Sequence, residues 1–280
     1  MIPVIEEFDH VLVGVADLEA ARRNWELLGF TACPRGRHIG WGTANYCLMF
    51  PETYIELIGI VDPAQFTNNL DRFLAERGEG LLGLAYRSSD LDGDIAELRR
   101  RGLAVEGPQD LERIIEHPDG ELRPRFRLMH FEPGSRPGVL AFACQHLTPE
   151  MVWQSPWLQH ANGAQAIIRV TAVCEDLEAP LEAARAWFGN AHVRIGADSL
   201  TMDAGSFELE LLRPEVAQTR YKGALAPNLQ GPVAFSVTVE DLSACRRLLR
   251  GNGVSVMEAS RKLRVPPIAA NGVLLEFVQA

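Results

Sequence analysis

The stretches FDHVLVGVADLEAARRNWELLGF (residues 8–30), GRHIGWGTANYCLMF (36–50) and YIELIGI (54–60) decide the fold. The first opens on an apolar run suited to a strand, changes to helical periodicity after Asp17-Leu18 and stops at Gly29. Strand-like runs follow over residues 30–33, 45–50 and 54–60, so the unit reads βαβββ. A histidine lies in its first strand (His10) and a lone carboxylate in its last (Glu56).

The unit recurs along the chain. Apolar strands lead into an Asp-Leu pair at HVLVGVADL (ending at Leu18), GLLGLAYRSSDL (Leu91), IIRVTAVCEDL (Leu177) and VAFSVTVEDL (Leu242), and a helical stretch follows each. The Asp of each pair (Asp17, Asp90, Asp176, Asp241) suits a helix N-cap, because its carboxylate can accept from unpaired first-turn amides. Twelve or thirteen residues later comes a glycine, Gly29, Gly102, Gly189 or Gly253, suited to the left-handed turn that ends a helix. Strands are read at 192–195, 199–202 and 207–212 in the third unit. In the second, LERIIE and RFRLMHF flank a turn at His117-Pro118-Asp119-Gly120, and in the fourth Pro266-Pro267 interrupts the third strand. Residues 62–78, with Asp62 as cap, Pro63 at the first helical position and Gly78 at the end, read as a helix between units one and two. The segment 145–163, QHLTPEMVWQSPWLQHANG, marks the boundary between halves. The organisation expected is a first half over 1–146 (units 6–60 and 79–146), a connector over 147–163, and a second half over 164–280 (units 164–213 and 230–280).

Composition narrows the function. The 280 residues, 47% hydrophobic, can bury a sizeable core. A net charge of −10 opposes any phosphate-binding surface, and Arg99-Arg100-Arg101 reads as a solvated helix end, so no nucleic-acid partner is expected. No apolar run is long enough to span a membrane and the first residues lack the pattern of a signal peptide, so no membrane partner and a cytoplasmic location are expected. The five cysteines are scattered without C-x-x-C spacing, and Cys47 and Cys144 read as small buried hydrophobes in strands. Phosphate-loop and dinucleotide signatures are absent, so no nucleotide cofactor is expected.

Glu56 stands out on physical grounds. In YIELIGI its neighbours are apolar, and an ionised carboxylate near a core costs several kcal/mol unless it is paired or bound to a metal. If the first and last strands are adjacent, His10 would face the same side, and imidazole with carboxylate would suit zinc, nickel, manganese or iron. The alternative is a buried His–Glu hydrogen bond without metal.

The tandem βαβββ units, with FDHVLVGVADL, GRHIGWGTAN, YIEL, GEGLLG, CQHLTPEMVW and HANGA as written here, resemble the glyoxalase-like domain group of the vicinal oxygen chelate superfamily. That superfamily includes glyoxalase I, methylmalonyl-CoA epimerase, extradiol dioxygenases and bleomycin resistance proteins. The resemblance implies an α+β fold in which the four units pair into two open mixed-sheet barrels around cavities. It also implies metal ligands on first and last strands, which here are His10 and Glu56. The other units depart from that pattern: Gly83, Arg169 and Ala234 stand where His10 does, and VLAFAC lacks a carboxylate. A third ligand would come from His146, His130 or His38, with His146 favoured because it follows the last strand of unit two. Glu210 and Glu276 occupy the Glu56 position of units three and four and are read as structural.

The resemblance further implies that residues 36–45 lie at the cavity mouth. There Arg37 could pair with an anionic substrate group, His38, Thr43 and Asn45 orient it, and Trp41 cover an apolar part; Trp153 is a candidate wall of the pocket. The equal alternative is a turn-forming loop. The function implied is binding of a small oxygenated or carbonyl compound, with metal-assisted isomerase, lyase or ring-opening chemistry through an enediolate-type oxyanion, Glu56 and His10 being the catalytic pair. The alternative is a non-catalytic protein that sequesters a small molecule. A homodimer stays open.

Overall fold

The computed structural model describes residues 3–227 and 229–280. In unit one, β1 (Glu7–Val15), α1 (Leu18–Leu27), β2 (Gly36–His38), β3 (Thr43–Met49) and β4 (Tyr54–Ile60) follow in order, and α2 (Leu70–Arg77) leads to unit two. That unit comprises β5 (Gly80–Arg87), α3 (Leu91–Arg100), β6 (Val105–Ile115), β7 (Arg125–Phe131) and β8 (Ala141–His146). Unit three is β9 (Ala164–Val173), α4 (Leu181–Phe188), β10 (Val193–Ile195), β11 (Ser199–Ala204) and β12 (Phe207–Leu212), followed by α5 (Pro214–Arg220). Unit four is β13 (Gly231–Val239), α6 (Leu242–Gly251), β14 (Met257–Ala259), β15 (Lys262–Val265) and β16 (Leu274–Gln279).

The fold is α+β, with each half an eight-stranded mixed sheet built from two βαβββ units. In the first half the order β1-β4-β3-β2-β6-β7-β8-β5 closes into a barrel. Closure comes from the short β2, which pairs with β3 on one side and β6 on the other. In the second half the order β10-β11-β12-β9-β13-β16-β15-β14 stays open. Strand β1 pairs in parallel with β4 and antiparallel with β5, and is buried from Phe8 to Val15, which is why FDHVLVGV is apolar almost throughout rather than alternating.

Three of the four expected caps form. The side chains of Asp17, Asp90 and Asp241 accept from Ala20 N, Gly93 N and Ala244 N at 2.9, 3.2 and 3.0 Å. Asp176 differs: its carboxylate accepts from Glu178 N and Ala179 N, closing a separate turn, and α4 starts only after Pro180. The four helix-ending glycines all adopt positive φ, from 76° to 87°.

Two elements depart from the sequence expectation, and tertiary contacts explain both. Residues 30–33 form no strand, because the connector takes up their polar groups: Thr31 N donates to His160 Nδ1 at 2.9 Å and Thr31 Oγ1 donates to Gln159 O at 2.6 Å. The strand that pairs with β3 is instead Gly36–His38, inside the stretch read as a loop. The helix expected over 62–78 is confined to Leu70–Arg77. Ahead of it, Asp62 turns the chain by accepting from Ala64 N, and Gly42 N donates to Phe66 O at 2.8 Å.

The two halves share one core. Phe8 stacks on Phe207 with centroids 3.8 Å apart, and Trp187 of α4 lies 3.8 Å from Phe131 and 5.6 Å from Tyr86. Trp187 is fully buried, its indole donates to Ser135 O at 2.9 Å, and its carbonyl accepts from Val4 N and Ile5 N. Trp187→Ala is expected to lower unfolding free energy by about 3–5 kcal/mol. Urea denaturation checks this, and a loss below about 1 kcal/mol would contradict the shared core.

Candidate active site

The parallel register of β1 and β4 places His10 beside Tyr54 and Leu12 beside Glu56, so His10 and Glu56 rise from adjacent strands toward the barrel interior. Both are buried, and His10 Nε2 lies 3.4 Å from Glu56 Oε2. The Tyr54 ring stacks on the imidazole at 4.2 Å, and Phe142 meets it edge-on at 5.7 Å. The other ring nitrogen, Nδ1, lies 2.7 Å from Asp9 Oδ2.

Consecutive residues of a regular strand point to opposite faces. Here the pairing of β1 with β5 shifts register between Phe8 and His10, and this bulge at Asp9 brings both side chains into contact. Asp9 is fully buried and is surrounded by His10, by His146 Nε2 at 2.9 Å and by Arg87 Nη2 at 3.2 Å. Burial alone would raise the Asp9 pKa, but the two histidines hold it well below the carboxylate range. For His10, burial works downward and is outweighed by the hydrogen bond to Asp9 and by Glu56, so its pKa is raised. Glu56, which burial alone would push up, is lowered to about 2 by His10, His38 and Arg113.

Behind the pair, Asn45 Nδ2 donates to Glu56 Oε1 at 2.6 Å. A side chain at Gly36 would collide with Asn45 Oδ1, so glycine is needed on β2 for this amide to sit there. His38 Nδ1 lies 2.8 Å from Thr43 Oγ1 and its Nε2 lies 3.7 Å from Glu56 Oε1. Burial lowers the His38 pKa to about 4, which keeps the ring neutral. From β6 comes Arg113, in register with His38 and buried; Nη1 donates to Cys47 Sγ at 3.1 Å and the guanidinium covers the Phe126 ring at 5.4 Å.

These side chains, with Trp41 and Phe142, enclose an inner chamber of about 70 Å³. Leu12, Asn68, His130 and Phe142 also line a larger cavity of about 530 Å³, rimmed by Arg72 and Arg136, so the chamber opens into a vestibule. Of the residues singled out in the sequence, His10, Glu56, His38 and Trp41 line the chamber, and Thr43 and Asn45 brace it. Arg37 is exposed and bonded to Glu116 at 3.0 Å. His146 and Trp153 face a different cavity of about 430 Å³ beside Arg87, Ser88 and Ser89. His130 stands at the vestibule, with Nε2 3.0 Å from Gln109 Oε1. Asp9 and Arg113 escaped the sequence reading. Asp9 would be placed on the outer face by strict alternation, and Arg113 lay in LERIIE, read only as a hairpin arm.

The corresponding positions elsewhere carry no second site. Ala234 pairs with Leu274 as His10 does with Tyr54, and Glu276 follows; Arg169 and Glu210 repeat the relation in β9 and β12. Glu276 is neutralised by Lys262 Nζ and Arg264 Nε, each at 2.9 Å, and Glu210 by Arg220.

The donors present fit a divalent ion. His10 Nε2 is buried with no hydrogen-bond partner and faces a carboxylate oxygen, while Asp9 holds Nδ1, the arrangement in which a carboxylate fixes a metal-ligating imidazole. His38 Nε2 is the remaining nitrogen near Glu56. His146 sits across Asp9 from the chamber; with Asp9 and Cys144 it forms the cluster of three potential donors within 4.8 Å among the described residues. Cys144 there is a thiol whose pKa burial raises further, and Arg87 already neutralises Asp9.

Residues 8–188 match the family model described as a glyoxalase-like domain. No curated protein matches the chain. Among solved structures, a hypothetical protein from Staphylococcus aureus aligns over 99% of this chain and 100% of its own, with a TM-score of 0.72 at 13% identity. A xylose isomerase-like TIM barrel/4-hydroxyphenylpyruvate dioxygenase fusion protein aligns over 100% of this chain and 49% of its own, at 0.64 and 13%. A variant of 4-hydroxymandelate synthase from Streptomyces coelicolor aligns over 98% and 92%, at 0.61 and 12%. At these identities the likeness is one of fold. Among the described residues, no helix is long and apolar enough to cross a membrane.

Because the Glu56 pKa is lower folded than unfolded, its contribution to stability is present above its ordinary value of 4.5 and lost as pH falls toward about 2. Glu56→Gln is therefore expected to be less stable than the parent at neutral pH, with the gap closing between about pH 4.5 and 2. Urea midpoints across that range test it, and a constant gap would refute the ionised pair.

Proposed function

This chain belongs to the glyoxalase-like domain family of the vicinal oxygen chelate superfamily, whose members include metal-dependent isomerases and dioxygenases, and on that premise we propose that it is an enzyme acting on a small oxygenated compound in the first-half chamber. The observation that carries the reading is His10 Nε2, a buried ring nitrogen without a hydrogen-bond partner, held 3.4 Å from the ionised Glu56. His10 and Glu56 would hold a divalent ion, with His38 as the nearest further nitrogen. Such an ion supplies Lewis acidity toward a carbonyl oxygen.

The chain's own residues account for the rest of the chemistry. Glu56 accepts a proton from the hydroxyl-bearing carbon next to the carbonyl and returns it to the former carbonyl carbon, while the hydroxyl proton passes to the former carbonyl oxygen, an isomerisation with no net oxidation. Asn45 fixes the carboxylate through Oε1 and leaves Oε2 facing the chamber. Asp9 fixes the imidazole, Tyr54 and Phe142 restrict its rotation, and the apolar wall keeps bulk water from the oxyanion.

A second reading, a protein that sequesters its ligand unchanged, is favoured by one observation: the equivalents of the pair are Gly83 with Phe142 in unit two, and Arg169 or Ala234 in units three and four. Elemental analysis after dialysis against metal-free buffer separates the two. The enzyme reading expects about one transition-metal ion per chain, lost in folded His10→Ala and Glu56→Ala variants, and a metal affinity about 10–100-fold weaker in Asp9→Asn. Absence of metal after reconstitution with several divalent ions would move the assignment to sequestration.

A further inference from the structure

Arg113 is the one guanidinium among the residues that line the chamber, and it has no direct ion pair. Its side chain is 4% exposed, Nε has no hydrogen-bond partner, and among the described residues no carboxylate lies within 4.0 Å of its nitrogens. The group it touches, Cys47, is a poor counterion: burial pushes that thiol up to about 11, so it is neutral at pH 7. Glu56, the acid that lines the chamber, acts on the guanidinium only at longer range and is itself bonded by Asn45, and Asp9 is engaged by Arg87, His10 and His146. An isolated buried cation costs several kcal/mol, and arginine stays protonated rather than escape that cost. A fold keeps such a group where an anion completes it.

We propose that Arg113 is the anion-recognition residue of the chamber and that the ligand is a small carboxylate, its head group bonded to the guanidinium and its adjoining oxygenated carbon facing His10 and Glu56. The inference rests on the reading of this chamber as the substrate site and names the substrate class. A planar carboxylate matches the free edge of a guanidinium with two parallel hydrogen bonds. The inner space of about 70 Å³ admits only a compact head, and the 530 Å³ vestibule takes whatever the molecule carries beyond it. The assignment holds with or without a metal, since an ion on His10 and Glu56 adds positive charge and favours an anion further.

The test compares propionate with its neutral isostere propionamide, by isothermal titration against chelated protein so that binding through a metal is excluded. The parent is expected to bind propionate at least about tenfold more tightly than propionamide. In Arg113→Met that preference disappears while the variant still unfolds in a single cooperative transition. Glu56→Gln, impaired in proton transfer, retains propionate binding, so failure of the proposed chemistry is distinguishable from failure of this assignment. Equal binding of acid and amide, or propionate binding undiminished in Arg113→Met, would each overturn the proposal. So would inorganic phosphate competing as strongly as propionate.

Discussion

The 2.7 Å contact between Asp9 and His10 is the constraint from which the chamber follows. A carboxylate with no exposed surface must be surrounded by donors, and the barrel supplies Arg87 from β5, which pairs with β1, and His146 from β8, the next strand round. Once Asp9 is fixed, the His10 ring has one orientation, with Nδ1 on the acid and Nε2 toward Glu56. Glu56 is fixed in turn by Asn45, whose amide has room because residue 36 is glycine. The chain of dependence runs across six strands and ends in a chamber whose polar atoms are oriented before any ligand arrives.

Much of this was legible in the sequence. The repeat, three of four caps and the left-handed glycines follow from spacing, the cost of burying a charge in YIELIGI singles out Glu56, and its pairing with His10 follows from the family resemblance. Other features depended on contacts distant in the chain. The non-strand at 30–33 is set by the connector 130 residues later, through Thr31 with His160. The Asp9 bulge is a register shift, which a rule of strict alternation reads as an outward side chain. Arg113 sits in a strand whose middle, Gln109 and Asp110, is exposed, and only closure of the barrel turns it inward.

One unit repeated four times has yielded chemically different interiors. In the first half the strand carboxylate meets imidazoles and an amide, groups that can exchange protons or coordinate an ion. In unit four the equivalent Glu276 meets Lys262, Arg264 and Ser236, which saturate its oxygens. Glu210 is likewise bound by Arg220. The second half thus pairs these acids internally and packs Phe207 and Trp187 against the barrel.

The central claim is that Asp9 holds the His10 proton on Nδ1 and leaves Nε2 directed at Glu56. Long-range ¹H–¹⁵N NMR of the histidine rings, followed through a pH titration, observes this directly. The account predicts that His10 keeps a proton on Nδ1 throughout, gains one on Nε2 only below a raised pKa, and shows a lower pKa in Asp9→Asn. A neutral ring carrying its proton on Nε2, or a titration unchanged by Asp9→Asn, would contradict it.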